Sequence, residues 1–206
     1  MNQEKQTEYK NVFQFKIMLR EIKPLIWRRI LVPETYSFWD LHVAIQNAMG
    51  WTDSHLHEFE IINPDTKVID RISFDLEKDA NVLSGLERKL VYYFSDKNTV
   101  SVYLYDFGDG WEHEIVLEKI LPRLPEKKYP QIVDGKRACP PENCGGPPGY
   151  RQFVKIMKNK KHSDYKAMRN WYGGVYDPDA WKPIQVYFDD PQLRYKEIFE
   201  DNVEAS

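Results

Sequence analysis

Val100-Ser-Val-Tyr-Leu-Tyr-Asp-Phe-Gly-Asp-Gly-Trp-Glu-His-Glu-Ile-Val-Leu-Glu-Lys-Ile120 holds two alternating segments around Phe107-Gly108-Asp109-Gly110, the punctuation of a β-hairpin. A two-residue loop at Gly108-Asp109 sets Val100, Val102, Leu104 and Asp106 opposite Leu117, Ile115, His113 and Trp111. That face is nearly all apolar and belongs against a core. Tyr103 and Tyr105 then share the solvent face with Glu114 and Glu112. In this register Asp106 and His113 are diagonal neighbours at the wet end of the buried face, within hydrogen-bond reach.

Upstream, Val12–Arg20 and Ile26–Val32 read as strands joined across Lys23-Pro24. Ser37 and Asp40 stand in capping-box spacing, and Phe38, Leu41, Ile45, Ala48 and Met49 form one helical stripe that Gly50 stops. His55–Ile62 is the next strand, Asn63-Pro64-Asp65 a turn, and Asn81–Lys89 a weaker helical or irregular stretch. Downstream, seven of the eleven residues from Cys139 to Gly149 are Gly or Pro. Beyond that loop come a helix over Tyr150–Lys158 and a second capped by Ser163 and stopped by Gly173-Gly174. Ile184–Phe188 reads as a strand, and Asp190-Pro191 opens a final short helix through Phe199.

This order predicts an α+β domain over residues 10–200: an antiparallel or mixed sheet of about five strands with helices on one face, β-grasp-like in its first part. Residues 10–121 are the sheet-rich part, 122–149 the Cys/Pro/Gly loop and 150–200 the helical part, with flexible tails at 1–9 and 201–206.

The 206 residues include 6 Trp, 13 Tyr and 10 Phe, ample for a core. The longest apolar run, Leu90–Phe94, is five residues, so no membrane partner is expected. The polar start Met1-Asn2-Gln3-Glu4-Lys5 lacks a signal-peptide pattern and places the chain in the cytoplasm. The net charge of −3 hides segregation: residues 10–31 carry a balance of +5 and residues 151–169 one of +6, leaving −14 elsewhere. Such segments suit a phosphate-contacting face or two ordinary solvated faces with acidic neighbours. The nucleic-acid contacts they would supply are Trp27, Arg28, Arg29, Lys160 and Lys161, since an aromatic beside arginines can stack bases and grip phosphates.

His55 and His57, two apart on a strand, point to one side; with Glu58, Asp106, Asp109 and His113 they make a polar cluster able to hold a metal and activate water. The alternative is a set of His–Asp hydrogen bonds that fixes the hairpin against the strand. Cys139 and Cys144, spaced C-x4-C, are half a zinc site that His113, or His55 with His57, would complete; otherwise they belong to a rigid loop of reduced thiols. No cofactor other than zinc is suggested. Neither a phosphate-binding P-loop nor a Gly-x-Ser-x-Gly elbow is present.

Five separated stretches carry a family resemblance: Ile22-Lys-Pro-Leu-Ile-Trp-Arg-Arg29, Leu41-His42 through Met49-Gly-Trp51, Ser54-His-Leu-His57, Tyr105-Asp-Phe-Gly-Asp-Gly-Trp-Glu-His113, and Arg137-Ala-Cys-Pro-Pro-Glu-Asn-Cys-Gly-Gly146. Over about Val12 to Asp179 the chain resembles the plasmid pRiA4b ORF-3-like family. The resemblance implies an α+β fold and a setting on plasmids, beside transposable elements or fused to small zinc-binding modules, with no established reaction. It also exposes a departure: relatives often carry Tyr-Pro-x-Cys before the loop, where this chain has Tyr129-Pro-Gln-Ile132, so a three-cysteine site is not available.

The function expected is a non-enzymatic binding or adaptor module for a protein partner, linked to plasmids or mobile elements. Its groove would be lined by the Ser54–Glu58 strand, the Tyr105–His113 hairpin and the Cys loop. The alternatives are a metal-assisted hydrolase using His55, His57, Asp106, Asp109 and His113, and nucleic-acid binding through residues 10–31 and 151–169.

Overall fold

Alternation along Asn11–Leu19 (β1) buries Phe13, Phe15, Ile17 and Leu19 on one side and leaves Gln14, Lys16 and Met18 half-exposed on the other. The same division runs through Trp27–Pro33 (β2), His57–Ile62 (β3), Val100–Tyr105 (β6) and Trp111–Pro122 (β7). Ile69–Ser73 (β4), Val82–Ser84 (β5) and Gln131–Lys136 (β8) complete an eight-stranded sheet in the order β5-β4-β3-β6-β7-β1-β2-β8. Every pairing is antiparallel except β4 with β5, so the sheet is mixed and wider than the five strands expected. The β-grasp likeness does not extend to the pairing, because β1 has β2 and β7 as antiparallel neighbours. This computed structural model describes residues 9–74, 81–183 and 186–200; the expected tails, Tyr9 apart, lie outside these.

The helix Phe38–Met49 (α1) covers the buried face. Ser37 Oγ accepts from the Asp40 amide at 3.2 Å, the Asp40 carboxylate accepts from the Ser37 amide at 2.7 Å, and Gly50 ends the helix at φ 86°, as its sequence predicts. A short turn of helix, Leu90–Tyr93 (α2), and the helix Gly146–Met157 (α3) pack into the same core, with Tyr93, Tyr150 and Phe153 buried. Tyr165–Tyr172 (α4) leans on α3 through Trp171 and Tyr172 against Phe153. Asp164, not Ser163, occupies its N-cap; the Ser163 hydroxyl donates to the Asp164 carboxylate at 3.1 Å.

Pro191–Tyr195 (α5) is capped by Asp190 as expected, runs into a π-turn over Lys196–Glu200, and lies across α1. Trp39 Nε1 donates to the Pro191 carbonyl at 2.9 Å, and Asn47 exchanges hydrogen bonds with Asp189. Helix α1 is therefore buried almost all round, between sheet and strap. Asn81–Lys89 forms β5 and a turn rather than a helix. Of the expected strand at Ile184–Phe188, residues 184 and 185 lie outside the described residues and 186–188 are irregular. Among the described residues no helix is long and apolar enough to cross a membrane.

The hairpin differs from its reading. Tyr103 pairs with His113 and Tyr105 with Trp111, which turns both tyrosines inward and leaves Val102 and Leu104 half-exposed beside Glu114 and Glu112. The loop is five residues, Asp106–Gly110, not two. Asp106 sits at φ 57° and its carboxylate accepts from the amides of Gly108 (3.0 Å) and Asp109 (3.2 Å), which ends β6 early. A one-residue slip flips a strand's faces. The tyrosines bring more apolar area than valine and leucine, and each hydroxyl finds a hydrogen-bond partner, Tyr103 in buried His42 and Tyr105 in half-buried Glu142.

Candidate functional site

The six residues of the expected polar cluster do not form one site. Strand β3 begins at His57, so His55 precedes it in a bend and alternation does not place the two rings together. His55 Nε2 lies 3.5 Å from the Asp106 carboxylate and 3.1 Å from Asn143 Oδ1. Glu58 faces the opposite side of the sheet in a two-point contact with Arg71, at 2.9 and 2.8 Å. Asp109 Oδ2 accepts from the Gly145 amide at 3.1 Å. His113 is fully buried under Tyr103, with Nδ1 3.3 Å from the Tyr103 carbonyl oxygen, and does not meet Asp106. Burial holds its pKa down at about 4.

His55, Asp106 and Asp109 belong to a junction between hairpin tip and Cys loop. The Glu142 carboxylate is its hub: Oε1 accepts from the Tyr105 hydroxyl at 2.5 Å, and Oε2 from the Thr52 amide at 3.0 Å and hydroxyl at 2.6 Å. Trp51 Nε1 donates to the Pro140 carbonyl at 2.9 Å. A Cβ on Gly146, at φ 64°, would overlap the Asp109 carbonyl, and one on Gly149 would overlap that of Cys144, so glycine is what lets loop and hairpin touch. Both thiols are free and pushed up to about 12, chiefly by burial, which favours their protonated form. The zinc set Cys139, Cys144 and His113 is not assembled: among the described residues the one metal-competent group of three is His42, Asp53 and His57.

That group lies under α1. The ligand atoms of these three residues are within 4.8 Å of one another. The His42 and His57 rings stack 3.5 Å apart at 11°. Gln46 Nε2 donates to the Tyr103 hydroxyl at 2.9 Å, so that hydroxyl donates onward to His42 Nδ1 at 2.8 Å, and the His42 proton sits on Nε2, donating to Asp53 Oδ1 at 2.7 Å. Burial lowers His42 to about 3 and His57 well below its usual value, so both are neutral, and it raises Asp53 to about 6. Asp53 Oδ2 is buried with no partner, and the ring nitrogens of His57, 5% exposed, have none among the described residues. Asp53 is held at φ 61° by its amide donating to Gln46 Oε1 at 3.2 Å.

A family model described as plasmid pRiA4b ORF-3-like protein matches residues 11–184. The chain belongs to this family. It is 36% identical over 172 residues to the uncharacterized protein y4hQ of Sinorhizobium fredii, spanning 82% of this chain and 86% of that one. It is also similar to the crystal structure of a protein of unknown function, MM3350 from Methanosarcina mazei, with 42% identity, a TM-score of 0.83, and coverage of 88% of this chain and all of that one.

Four of the five pRiA4b ORF-3-like stretches meet at the junction, through Trp51, His55, Tyr105–Asp109 and Cys139–Gly146. The first stretch is structural too. Arg28, expected on nucleic acid, is 2% exposed; its Nε donates to the Ala48 carbonyl at 2.9 Å and its Nη1 to the Lys136 carbonyl at 3.1 Å, with Trp181 stacked 5.0 Å away. Arg29 is held by Glu118 at 2.6 and 2.9 Å and lies over Trp27, and Arg20 meets Glu112 and Glu114 at 3.3 Å, so two cations of the +5 segment are paired with acids of β7. Lys160 and Lys161 are exposed in the turn after α3, on a different element. Sequence reasoning missed His42, Asp53, Tyr103, Gln46 and Glu142. The signal for the first was in plain view, since His42 and Gln46 follow Phe38 and Leu41 along the buried side of α1.

Proposed function

We propose that this chain is a non-enzymatic binding module whose docking surface is the junction face, where Leu56 and Phe107 project 43% and 53% exposed beside His55 and Asn143. The observation behind this reading is that the junction's carboxylates are already engaged: Glu142 with Tyr105 and Thr52, Asp109 with Gly145, Asp106 with its own loop. A hydrolytic site needs a carboxylate or imidazole free to take a proton from water. Apolar side chains framed by a rigid polar rim suit a protein partner instead. The family description names a plasmid reading frame, which favours a partner encoded on a plasmid or other mobile element.

A photo-crosslinking residue at position 107, in the chain expressed in its own host, tests this. The expected result is one dominant protein adduct, absent with the crosslinker at Lys119 and lost in Leu56→Asp. Equal labelling from both positions, or none from 107, overturns it, as does turnover by the purified chain that Glu142→Gln abolishes without unfolding it.

A further inference from the structure

We infer that His42, Asp53 and His57 bind one divalent transition-metal ion of the zinc class, a site independent of the junction and of its partner. Two neutral imidazoles and one carboxylate are a borderline-soft donor set, the kind that takes zinc with three protein ligands. Two of the three present unused donors, since Asp53 Oδ2 is buried without a partner and no hydrogen bond reaches the His57 ring nitrogens among the described residues. A buried carboxylate oxygen left unmatched is unfavourable, and an ion between these groups would satisfy it. The third ligand is oriented from behind, with Tyr103 and Gln46 fixing the His42 ring as the outer partners of metal-bound histidines do.

Zinc takes nitrogen and oxygen at about 2.0–2.2 Å, so the donors must close from their present spread of up to 4.8 Å and His57 must tilt out of its stack. Coordination through His42 Nε2 moves its proton to Nδ1, where the Tyr103 hydroxyl rotates to accept it. An octahedral ion would need three further ligands, whereas the neighbouring side chains are Trp39, which is apolar toward the rings, and Gln46 and Tyr103, which are already engaged. A four-coordinate ion is therefore favoured.

The test uses full-length chain without a histidine tag, dialysed against chelator and titrated with Zn²⁺ and with Co²⁺ as a spectroscopic probe. The inference expects one ion per chain, a Co²⁺ spectrum free of thiolate charge transfer, and a higher unfolding midpoint with Zn²⁺. Asp53→Asn and His57→Gln should each weaken binding by more than about 100-fold, and Tyr103→Phe by about 10–100-fold. Cys139→Ser and Cys144→Ser should leave it unchanged. No stoichiometric uptake, a thiolate band, or affinity that survives Asp53→Asn and His57→Gln overturns the inference. The wild-type spectrum decides even if a variant does not fold.

Discussion

The junction and the His42 network both gather polar groups around an inward tyrosine of β6, yet one matches its groups and the other does not. At the junction the Glu142 carboxylate accepts three hydrogen bonds and Asp109 reaches the loop it faces. Under α1, the Asp53 Oδ2 oxygen is buried with none, and no hydrogen bond reaches the His57 ring among the described residues. Satisfied buried polar groups specify a shape, while unmatched ones store free energy that a ligand or a proton can release. The dense, motif-bearing part of the sequence thus builds the scaffold, and the residues with spare chemistry lie in an ordinary-looking helix and the turn after it.

Changing pH should separate the regions most. Acid works on the buried histidines. His113 is held near 4 and His42 near 3, while an unfolded histidine titrates near 6.5. Their stabilisation is complete above pH 6.5 and lost as pH falls toward those values, by about 1.4 kcal/mol per histidine per pH unit, with His57 adding in the same sense. Asp53, raised to about 6, opposes them with one group. Unfolding free energy of the metal-free chain, measured by denaturant titration, should therefore drop by several kcal/mol between pH 7 and pH 5. Alkali should instead loosen the junction, because thiols pushed up to about 12 lose their contribution as pH climbs above about 9. A stability curve flat from pH 7 to 5 would contradict neutral burial of these rings.

Substitutions probe the contrast with smaller steps. Gly146→Ala should cost about 3 kcal/mol or more, since φ 64° and the Asp109 carbonyl both exclude a Cβ. Glu142→Gln should cost about 1–3 kcal/mol, because one end of the amide must face the donors of Tyr105 or Thr52 with hydrogens of its own. Asp53→Asn at pH 7 should change metal-free stability by less than about 1 kcal/mol, as it keeps the acceptor for His42 and discards a buried charge. If Asp53→Asn proves as damaging as Glu142→Gln in the same assay, the two regions are matched alike and the contrast fails.

Local rules made much of the frame legible. The capping box at Ser37, the stop at Gly50, the alternation in β1 and β2 and the Asp190-Pro191 cap all depend on residues within a few positions of one another. The hairpin register was not legible, because it turns on hydroxyl partners far along the chain: His42 is 61 residues from Tyr103, and Glu142 is 37 from Tyr105. Without those partners, two tyrosines opposite glutamates read as a wet face. The same distance hid the His42 network, whose helix position was readable but whose partners arrive from the loop after α1 and from β3 and β6. Arg28 and Arg29 read as a basic patch because neither the helix end that one caps nor the glutamate that the other meets is nearby in sequence.

The central pairing of β1 with β7 joins Asn11 to Pro122 and Leu19 to His113. In a growing polypeptide the first strand must wait for its main neighbour until the second half of the chain has emerged, and closing so long a loop slows the search. Refolding from denaturant should accordingly run in milliseconds to seconds rather than microseconds, with the local hairpin β3–β4 ordered before the sheet's centre. Stopped-flow fluorescence of a variant that keeps Trp111, fully buried beside that seam, as its single tryptophan would time the closure.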